Sequence, residues 1–250
     1  MVIEHPSRAH IPALRRLWQQ AFGDTEAFLD SFFSLGFSPD RCLCVLEENA
    51  PAAALYWLDC SLDDLPCAYV YAVATRSDCR GRGLCRSLMG RTRDLLCRQG
   101  YAHILLVPQG ERLQTMYAAM GYRNFGGLTV TEAEAAGPAL PLRAVGPEEF
   151  ARLRRSLLPP GGVIQEGPSL AFLADQLRFF AGDGFTLAAW QEDGMLHGTE
   201  LLGTGDPGRI LTALGFPRGE FRGPGADPFA MYLPLTEAAP APGYLGFAFD

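Results

Sequence analysis

Three arginines and two glycines fall within ten residues, Ser77 to Arg86 (SDCRGRGLCR). Glycine lets a backbone approach an anion closely and adopt positive φ. Arginine adds charge-assisted hydrogen bonds to phosphate oxygens. A turn that enters a helix also offers unpaired N–H groups and the positive end of the helix dipole. The stretch therefore predicts a phosphate-binding loop. The alternative is a solvated basic turn, because a short glycine motif is a weak signal alone.

The elements around this loop are predicted to place it at a helix N-terminus. Residues 68–74 (AYVYAVA) are nearly all apolar, which predicts a central strand that ends where the loop begins. Leucines at helical spacing predict a helix over residues 84–99, ended by Gly100. A buried strand at 104–107 and a short helix at 113–120 follow. A strand, a glycine-rich turn and a helix N-terminus together form an arrangement that binds phosphate.

The rest of the chain predicts two α/β parts of similar order. Before the loop come a strand at 1–4, two helices, of which the second has Asp24 as N-cap, and strands at 42–46 and 53–58. Residues 137–141 (GPALP) are typical of a linker. Beyond them the order repeats. It has a short strand, a helix opened by Pro147, a helix reaching Phe180, and strands at 185–190 and 195–202 around the turn Asp193-Gly194. The repetition suggests an ancient duplication.

Composition limits the class of protein. The net charge of −7 excludes a general nucleic-acid binder, which would carry a basic face. All 21 basic residues are arginine. Seven cysteines without a C-x-x-C pair fit neither a disulfide framework nor a zinc pattern. No apolar run reaches membrane-spanning length and no signal region opens the chain. We therefore expect a soluble, cytoplasmic protein that binds no nucleic acid, membrane or metal; its oligomeric state is left open.

Two motifs resemble the GNAT superfamily of N-acetyltransferases. Residues 80–85 (RGRGLC) resemble its acetyl-CoA loop, Arg/Gln-x-x-Gly-x-Gly/Ala, with Cys85 where that family has glycine or alanine. Residues 117–122 (YAAMGY) resemble its Tyr-x-x-x-Gly-Phe/Tyr signature. The resemblance covers residues 1–131. It implies acetyl-CoA as co-substrate, bound by Val73, Ala74, Thr75, Arg80, Gly81, Arg82, Gly83, Leu84, Cys85 and Arg86.

The resemblance also implies a fold and an architecture. We expect an α/β protein with a mixed sheet, in which residues 1–135 form a catalytic GNAT domain. Residues 140–250 would form a smaller α+β domain, a degenerate GNAT-like copy that covers or completes the acceptor cleft. Phenylalanines on the two N-terminal helices (Phe22, Phe28, Phe32 and Phe33) belong to the region that forms one wall of that cleft in the family. Aromatics at helical spacing are also typical of a plain core.

A mechanism follows from the same resemblance. An acceptor amine attacks the thioester directly, and holding both reactants in register supplies most of the rate. A backbone N–H near Val73 polarises the thioester carbonyl. Tyr117 stands where the family carries the general acid that protonates the departing CoA thiolate. Its alternative role is that of a packed aromatic residue.

The general base is not fixed by the sequence. Asp59, Asp63 and Asp64 flank the turn before the central strand, although charged turn residues are usually just solvated. Residues 244–250 (YLGFAFD) are apolar and predict a strand pinned to the fold. Some tandem members of the superfamily are thought to use their C-terminal carboxylate as base, which nominates Asp250. An ordinary edge strand, a neutral amine or proton loss through water are alternatives.

Three other readings compete. Cys79, Cys85 and Cys97 lie near arginines, which lower a thiol pKa, yet only His103 is near them and structural roles are favoured. Residues 203–208 (GTGDPG) fit G-x-G-x-x-G, but Asp206 and Pro207 explain them as a helix start. A non-catalytic acyl-CoA sensor would share the same loop. The favoured prediction is an N-acetyltransferase acting on an amine of unknown identity.

Overall fold

The computed structural model describes residues 2–248. The first half of the chain forms the strands β1 (Val2–Glu4), β2 (Cys42–Glu47), β3 (Ala50–Leu62), β4 (Leu65–Thr75), β5 (His103–Leu106) and β6 (Arg123–Glu134). Its helices are α1 (Ile11–Phe22), α2 (Glu26–Ser31), α3 (Leu84–Arg98) and α4 (Glu111–Ala118). The predicted central strand, the loop and the following helix therefore occur in the expected order.

The second half repeats this order up to its fifth strand, which is followed directly by the sixth. Its strands are β7 (Leu142–Ala144), β8 (Arg178–Gly182), β9 (Phe185–Glu192), β10 (Met195–Gly203), β11 (Arg218–Pro224) and β12 (Asp227–Pro234). Its helices are α5 (Pro147–Leu157), α6 (Pro168–Gln176) and α7 (Pro207–Leu214). The prediction of a helix through Phe180 is wrong, because α6 ends at Gln176 and Leu177 is already extended, with φ −121° and ψ 151°.

The twelve strands among residues 2–248 form one mixed sheet. Their order is β1-β2-β3-β4-β5-β12-β6-β11-β10-β9-β8-β7. From either edge inward, the first five strands of one half follow in chain order and are then joined by the last strand of the other half. In each half the fourth and fifth strands of that half are parallel, β4 with β5 and β10 with β11. The last strand of each half is exchanged: β12 pairs with β5, and β6 pairs with β11. The sheet thus continues across residues 135–140, and the division into domains 1–135 and 140–250 stays a prediction.

Helices cover both faces of the sheet. Helices α1, α2 and α6 share one aromatic core, in which Phe172 of α6 lies 5.4 Å from the rings of both Phe28 and Phe32. Helices α3 and α4 pack on the other face through residues such as Leu88 and Tyr117. In the second half α5 packs beside α6, and α7 covers the opposite face.

The ends of α1 and α2 set the shape of this aromatic core. Gly23 ends α1 in the left-handed region with φ 79°, a conformation that glycine adopts without strain. The N-cap of α2 is Thr25, whose hydroxyl accepts a hydrogen bond from Phe28 N at 3.2 Å. The prediction of Asp24 as N-cap is wrong, because its carboxylate instead accepts a hydrogen bond from Trp18 Nε1 at 2.7 Å.

Candidate active site

Strands β4 and β5 separate after three residue pairs. Residues 67–69 pair with residues 103–105, and β4 then runs on to Thr75 without this neighbour. The pairing of β4 with β3 shifts between Tyr71 and Ala74, and Ala72 has φ 49°. A bulge of this kind bends a strand and redirects its side chains. A gap therefore opens beside Val73, where backbone groups of β4 lack a strand partner on one side.

The arginine-glycine loop joins this end of β4 to α3. A 3₁₀ turn at Ser77–Cys79 leads to Gly81 and Gly83, which both have φ 76°. Gly83 is the N-cap of α3, and no side chain caps it. The first N–H groups of a helix have no partner inside it, so those of Leu84, Cys85 and Arg86 point out of the helix end. The Leu84 side chain itself is buried in the core, so only its backbone can serve a ligand.

Ion pairs hold part of the loop in place. Arg82 donates to both carboxylate oxygens of Glu47, at 3.0 and 2.5 Å. This guanidinium holds the pKa of Glu47 below its usual range. Arg76 pairs with Asp78 at 2.6 Å. In the described part of the chain neither Arg80 nor Arg86 forms an ion pair, and both are exposed. Arg80 donates to Thr75 O at 3.3 Å. The loop thus presents two arginines without carboxylate partners.

Tyr117 lies at the end of α4 and faces the gap. Its side chain is nearly buried, at 5% exposure, and its ring centroid is 5.5 Å from that of Tyr122. Burial raises the pKa of the Tyr117 phenol well above its ordinary value. The hydroxyl is therefore held in its protonated form, as a proton donor requires. The Tyr117-to-Tyr122 motif places this phenol beside the strands that separate.

A cavity of about 590 Å³ connects the two faces of the sheet at this gap. On the α3/α4 side its wall includes Val70, Leu106 and Tyr117. On the α1/α2 side it is bounded by aromatic residues of the first half and by residues of strands β9, β10 and β11 of the second half. The lining residues there are Trp18, Phe22, Phe28, Tyr71, Trp190, His197, Thr199, Glu220 and Arg222. We call this space the central cavity. Both halves of the chain build it.

Two carboxylates among residues 2–248 reach the central cavity. Asp24 lies among Trp18, Phe22 and Phe28. Glu220 lies opposite His197 on the neighbouring strand, with Oε1 3.7 Å from Nδ1. The His197 ring in turn stacks on Trp190, with centroids 4.3 Å apart. Sequence reasoning predicted Phe22 and Phe28 as part of a cleft wall, but it assigned no site role to Asp24, His197 or Glu220. Alternation along β10 and β11 places His197 and Glu220 on one face, but only pairing of the two strands brings them together.

The three aspartates nominated near the β3–β4 turn do not line this cavity. Asp59 is engaged by Arg41 at 2.5 Å and by the Tyr101 hydroxyl at 2.7 Å. Asp63 and Asp64 occupy the exposed hairpin turn with φ 48° and 63°. Asp59 therefore forms an ion pair, and Asp63 and Asp64 form the hairpin turn. The nominated base Asp250 lies outside the described residues.

The segment before Asp250 is buried but does not form the predicted strand. Tyr244 makes one isolated bridge with Gly162, and residues 245–248 are irregular. Leu245 and Phe247 are nevertheless fully packed, at 1% and 0% exposure. Ala248 lies in the wall of the central cavity. The chain therefore leads to the same cavity that Tyr117 faces.

The competing motifs have structural explanations. Asp206 caps α7 by accepting from Arg209 N at 2.8 Å, and Pro207 follows it. Added Cβ atoms at Gly203 and Gly205 would overlap Gly184 O and crowd the Phe185 ring, so close packing explains these glycines. All seven cysteines are unpaired thiols. Within residues 2–248 no cluster of three or more histidine, cysteine, aspartate or glutamate side chains could hold a metal ion.

The family follows from the matched region. Residues 3–125 match the family described as Acetyltransferase (GNAT) domain. They contain the β4–β5 gap, the arginine-glycine loop and the tyrosine motif. This chain belongs to the GNAT family. Its fold class is therefore confirmed as a mixed α/β GNAT sheet, and membership supports acyl transfer. No curated protein sequence matches the chain.

Solved structures extend the likeness of fold beyond the GNAT domain to most of the chain. A GCN5-related N-acetyltransferase from Anabaena variabilis matches with TM-score 0.75 and 16% identity, over 94% of this chain and 73% of that one. One from Kribbella flavida matches with TM-score 0.72 and 16% identity, over 94% and 72%. Eis1 from Mycobacterium abscessus matches with TM-score 0.69 and 14% identity, over 94% and 74%. At such identities the likeness is one of fold alone.

Among residues 2–248, none of the helices combines the length and the apolar composition that a membrane-spanning helix needs.

Proposed function

We propose that the protein transfers an acetyl group from acetyl-CoA to a primary amine by direct attack of the amine on the thioester. The observation that carries this proposal is the central cavity. It passes through the gap between β4 and β5, with Tyr117 and the loop side on one face and an aromatic, carboxylate-bearing chamber on the other. Two reactants can meet there from opposite faces, which supplies the proximity that such a transfer needs.

The end of β4 and the loop fit the phosphates and arm of CoA. Backbone N–H groups of residues 81–86 and the α3 dipole suit a diphosphate, and Arg80, Arg82 and Arg86 add charge. The unpartnered edge at Val73, Ala74 and Thr75 suits an amide-bearing arm. Ala74 contributes only its backbone, because its side chain is buried. Cys85 is half-buried and small, which leaves the helix end accessible.

Residues at the gap supply the chemistry. The bound thioester supplies an activated acetyl group. Val73 N–H polarises its carbonyl and stabilises the oxyanion as the amine adds. Tyr117 then donates its proton to the departing thiolate sulfur. Burial of Tyr117 supports this role, because its raised pKa keeps the phenol protonated.

The chamber beyond the gap suits an amine with an apolar or aromatic body. Trp18, Phe22, Phe28 and Trp190 offer rings, and two of them, Phe22 and Trp190, are unusually exposed, at 41% and 39%. Carboxylates of Asp24 and Glu220 favour a cationic group before it is deprotonated. Rings and carboxylates together recognise ammonium ions.

We propose Asp250 as the base that removes the proton of the acceptor. Support comes from Ala248, which lies in the cavity wall. A chain extends at most about 3.6 Å per residue, so a carboxylate two residues further on is within reach of the chamber. Among residues 2–248, Asp24 and Glu220 are the carboxylates that line the cavity.

We further propose that residues 1–135 and 140–250 arose by duplication, and that the second copy has lost its CoA loop. The mirrored strand order and the two parallel strand pairs support this history. At the position of the loop, the second half has residues 203–208, where packing and a capped helix leave no arginine cluster.

The unpaired thiols suit a reducing compartment such as the cytoplasm.

Thermal unfolding with acetyl-CoA, CoA and NAD in parallel tests the first step. A ligand at about a hundred times its dissociation constant stabilises the folded state by about 2.7 kcal/mol. We expect a shift with both CoA species that Arg80→Ala reduces and Gly83→Asp abolishes. Release of free thiol is then measured with a panel of apolar and aromatic amines. Binding without thiol release from any amine would favour an acyl-CoA sensor. No shift with CoA or acetyl-CoA would refute the proposal.

A further inference from the structure

A buried ion pair lies beneath the segment that leads to the central cavity. Arg154 of α5 and Glu200 of β10 are joined by two hydrogen bonds, at 2.6 and 2.9 Å, and their side chains are 4% and 0% exposed. Arg154 also donates to Val163 O at 3.2 Å. Burying two charges costs so much desolvation energy that such a pair is weak support for a purely stabilising role. Neither residue lines the cavity.

The pair fixes the path of residues 244–248. The guanidinium carbon of Arg154 lies 4.4 Å from the centroid of the Phe247 ring. A Cβ at Gly246 would overlap Glu200 Oε1, although Gly246 has an ordinary φ. Glycine is therefore needed here for space and not for backbone freedom. The carboxylate of Glu200 lies directly against the backbone of this segment.

A side-chain amide holds the same segment from another direction. The buried Gln165 donates through Nε2 to Phe247 O at 2.7 Å and accepts from Phe247 N at 3.3 Å. One amide thus satisfies both backbone groups of Phe247, as a neighbouring strand would. We call Arg154, Gln165 and Glu200 the C-terminal anchor. All three belong to the second half of the chain, and the residue that follows their last contact, Ala248, lines the cavity.

We propose that the C-terminal anchor is a positioning device for acyl transfer: it holds residues 244–248 as a fixed wall of the central cavity and so sets where Asp250 acts. This inference rests on the proposed function. It gives the second half of the chain a task in the reaction. The anchor residues touch no reactant, so they act through the segment that they hold.

Gln165→Met is the main test, because methionine keeps the shape and removes both hydrogen bonds to Phe247. The matched control is Glu166→Gln, one residue along. It weakens an exposed ion pair with Arg155, whose atoms lie 2.6 Å apart. The paired replacement Arg154→Met with Glu200→Leu removes both buried charges together, since a single replacement leaves one unpaired and threatens folding. Gly246→Ala pushes the segment without changing any charge.

The first readout is hydrogen exchange of the peptide that spans residues 244–248. We expect Gln165→Met and Gly246→Ala to increase its exchange while peptides from β3 and β4 keep their protection. Glu166→Gln should match the wild type. Unchanged exchange in both Gln165→Met and Gly246→Ala would overturn the claim that the anchor residues hold the segment. This readout does not depend on finding an acceptor.

The second readout separates positioning from stability. We expect Gln165→Met to lower kcat/KM for the amine about ten- to hundred-fold, as misplacement by about 1 Å does, with the Kd for acetyl-CoA unchanged. Deleting residues 249–250 should give a similar loss, and the combined variant should be no worse than the deletion alone. Losses that multiply would refute the coupling, as would a wild-type rate in Gln165→Met. If no amine is acetylated by the wild type, the proposed function fails, and hydrogen exchange still decides whether the anchor holds the segment.

Discussion

Gly83 and Gly90 allow the phosphate-loop prediction to be tested with two alanines in one helix. Gly83 is the N-cap of α3 with φ 76°, whereas Gly90 lies in its interior with a helical backbone. A Cβ built at either position meets no atom within 4 Å. Steric clashes are therefore absent from both substitutions, and only the backbone conformation distinguishes them.

The backbone term predicts opposite signs. A non-glycine residue in the left-handed region costs about 1–2 kcal/mol, so Gly83→Ala should lower the free energy of unfolding by about that amount. Alanine in a helix interior is better than glycine by about 0.5–1 kcal/mol, so Gly90→Ala should raise it. For a chain of this size 1 kcal/mol corresponds to roughly 2–4 °C in Tm. Denaturant unfolding gives the free energies, and calorimetry gives Tm.

Binding provides the second half of the same test. The Gly83 Cβ would face the space where the loop is proposed to hold phosphates, so the Kd for CoA should rise about ten-fold or more, equivalent to about 1.4 kcal/mol. Gly90→Ala should bind CoA as the wild type does. Titration calorimetry measures both. Equal stabilities and equal Kd values for the two variants would refute both the left-handed N-cap and the phosphate cradle.

Three further predictions concern titratable groups. Tyr117→Phe should lower kcat about 10²-fold or more without changing the Kd for acetyl-CoA, and an unchanged kcat would contradict its role as proton donor. Since burial raises the pKa of this phenol above 10, wild-type kcat should not fall between pH 8 and about 10; a decline there that Tyr117→Phe removes would show that the phenol titrates lower than its burial implies. Glu47→Gln frees Arg82 from its carboxylate and should tighten CoA binding by up to about five-fold; weaker binding in calorimetry would show that Glu47 instead orients the loop. Burial lowers the pKa of His103, so the folded protein favours the neutral histidine. The free energy of unfolding should therefore drop as the pH falls below about 6.5. His103→Gln should show a shallower drop in denaturant titrations, and an equal dependence on pH in the variant and the wild type would count against this linkage.

Local signals in the sequence were sufficient to predict the loop region. Arginine and glycine alternate over residues 80–83, so the whole motif lies within four positions. The apolar run before the motif identifies the flanking strand, and the leucines after it identify the flanking helix. The φ of 76° at Gly81 and Gly83 agrees with the reason for expecting glycine there. The site roles of these residues remain predictions, as does that of Tyr117.

Pairings between distant residues could not be predicted in this way. No local pattern places β12 between β5 and β6, because hydrogen bonds of a strand do not depend on which segment supplies its neighbour. Arg154 and Glu200 look like ordinary surface charges in sequence, and their burial depends on the meeting of α5, β10 and the end of the chain. Asp24 was misassigned because a short acidic side chain before a helix predicts a cap, whereas Trp18 takes its carboxylate.

The exchange of β6 and β12 between the halves of the sheet also affects how the protein is made. During synthesis β5 (His103–Leu106) emerges well before β12 (Asp227–Pro234), the strand that completes its free edge. Until then a nascent first half exposes the edge of an apolar strand, a known site of wrong pairing between chains. Folding of the complete sheet must therefore follow translation of the chain through residue 234. A ribosome-bound chain that stops before residue 227 should therefore need chaperones to stay soluble, and premature termination there should give aggregates instead of a working half-enzyme.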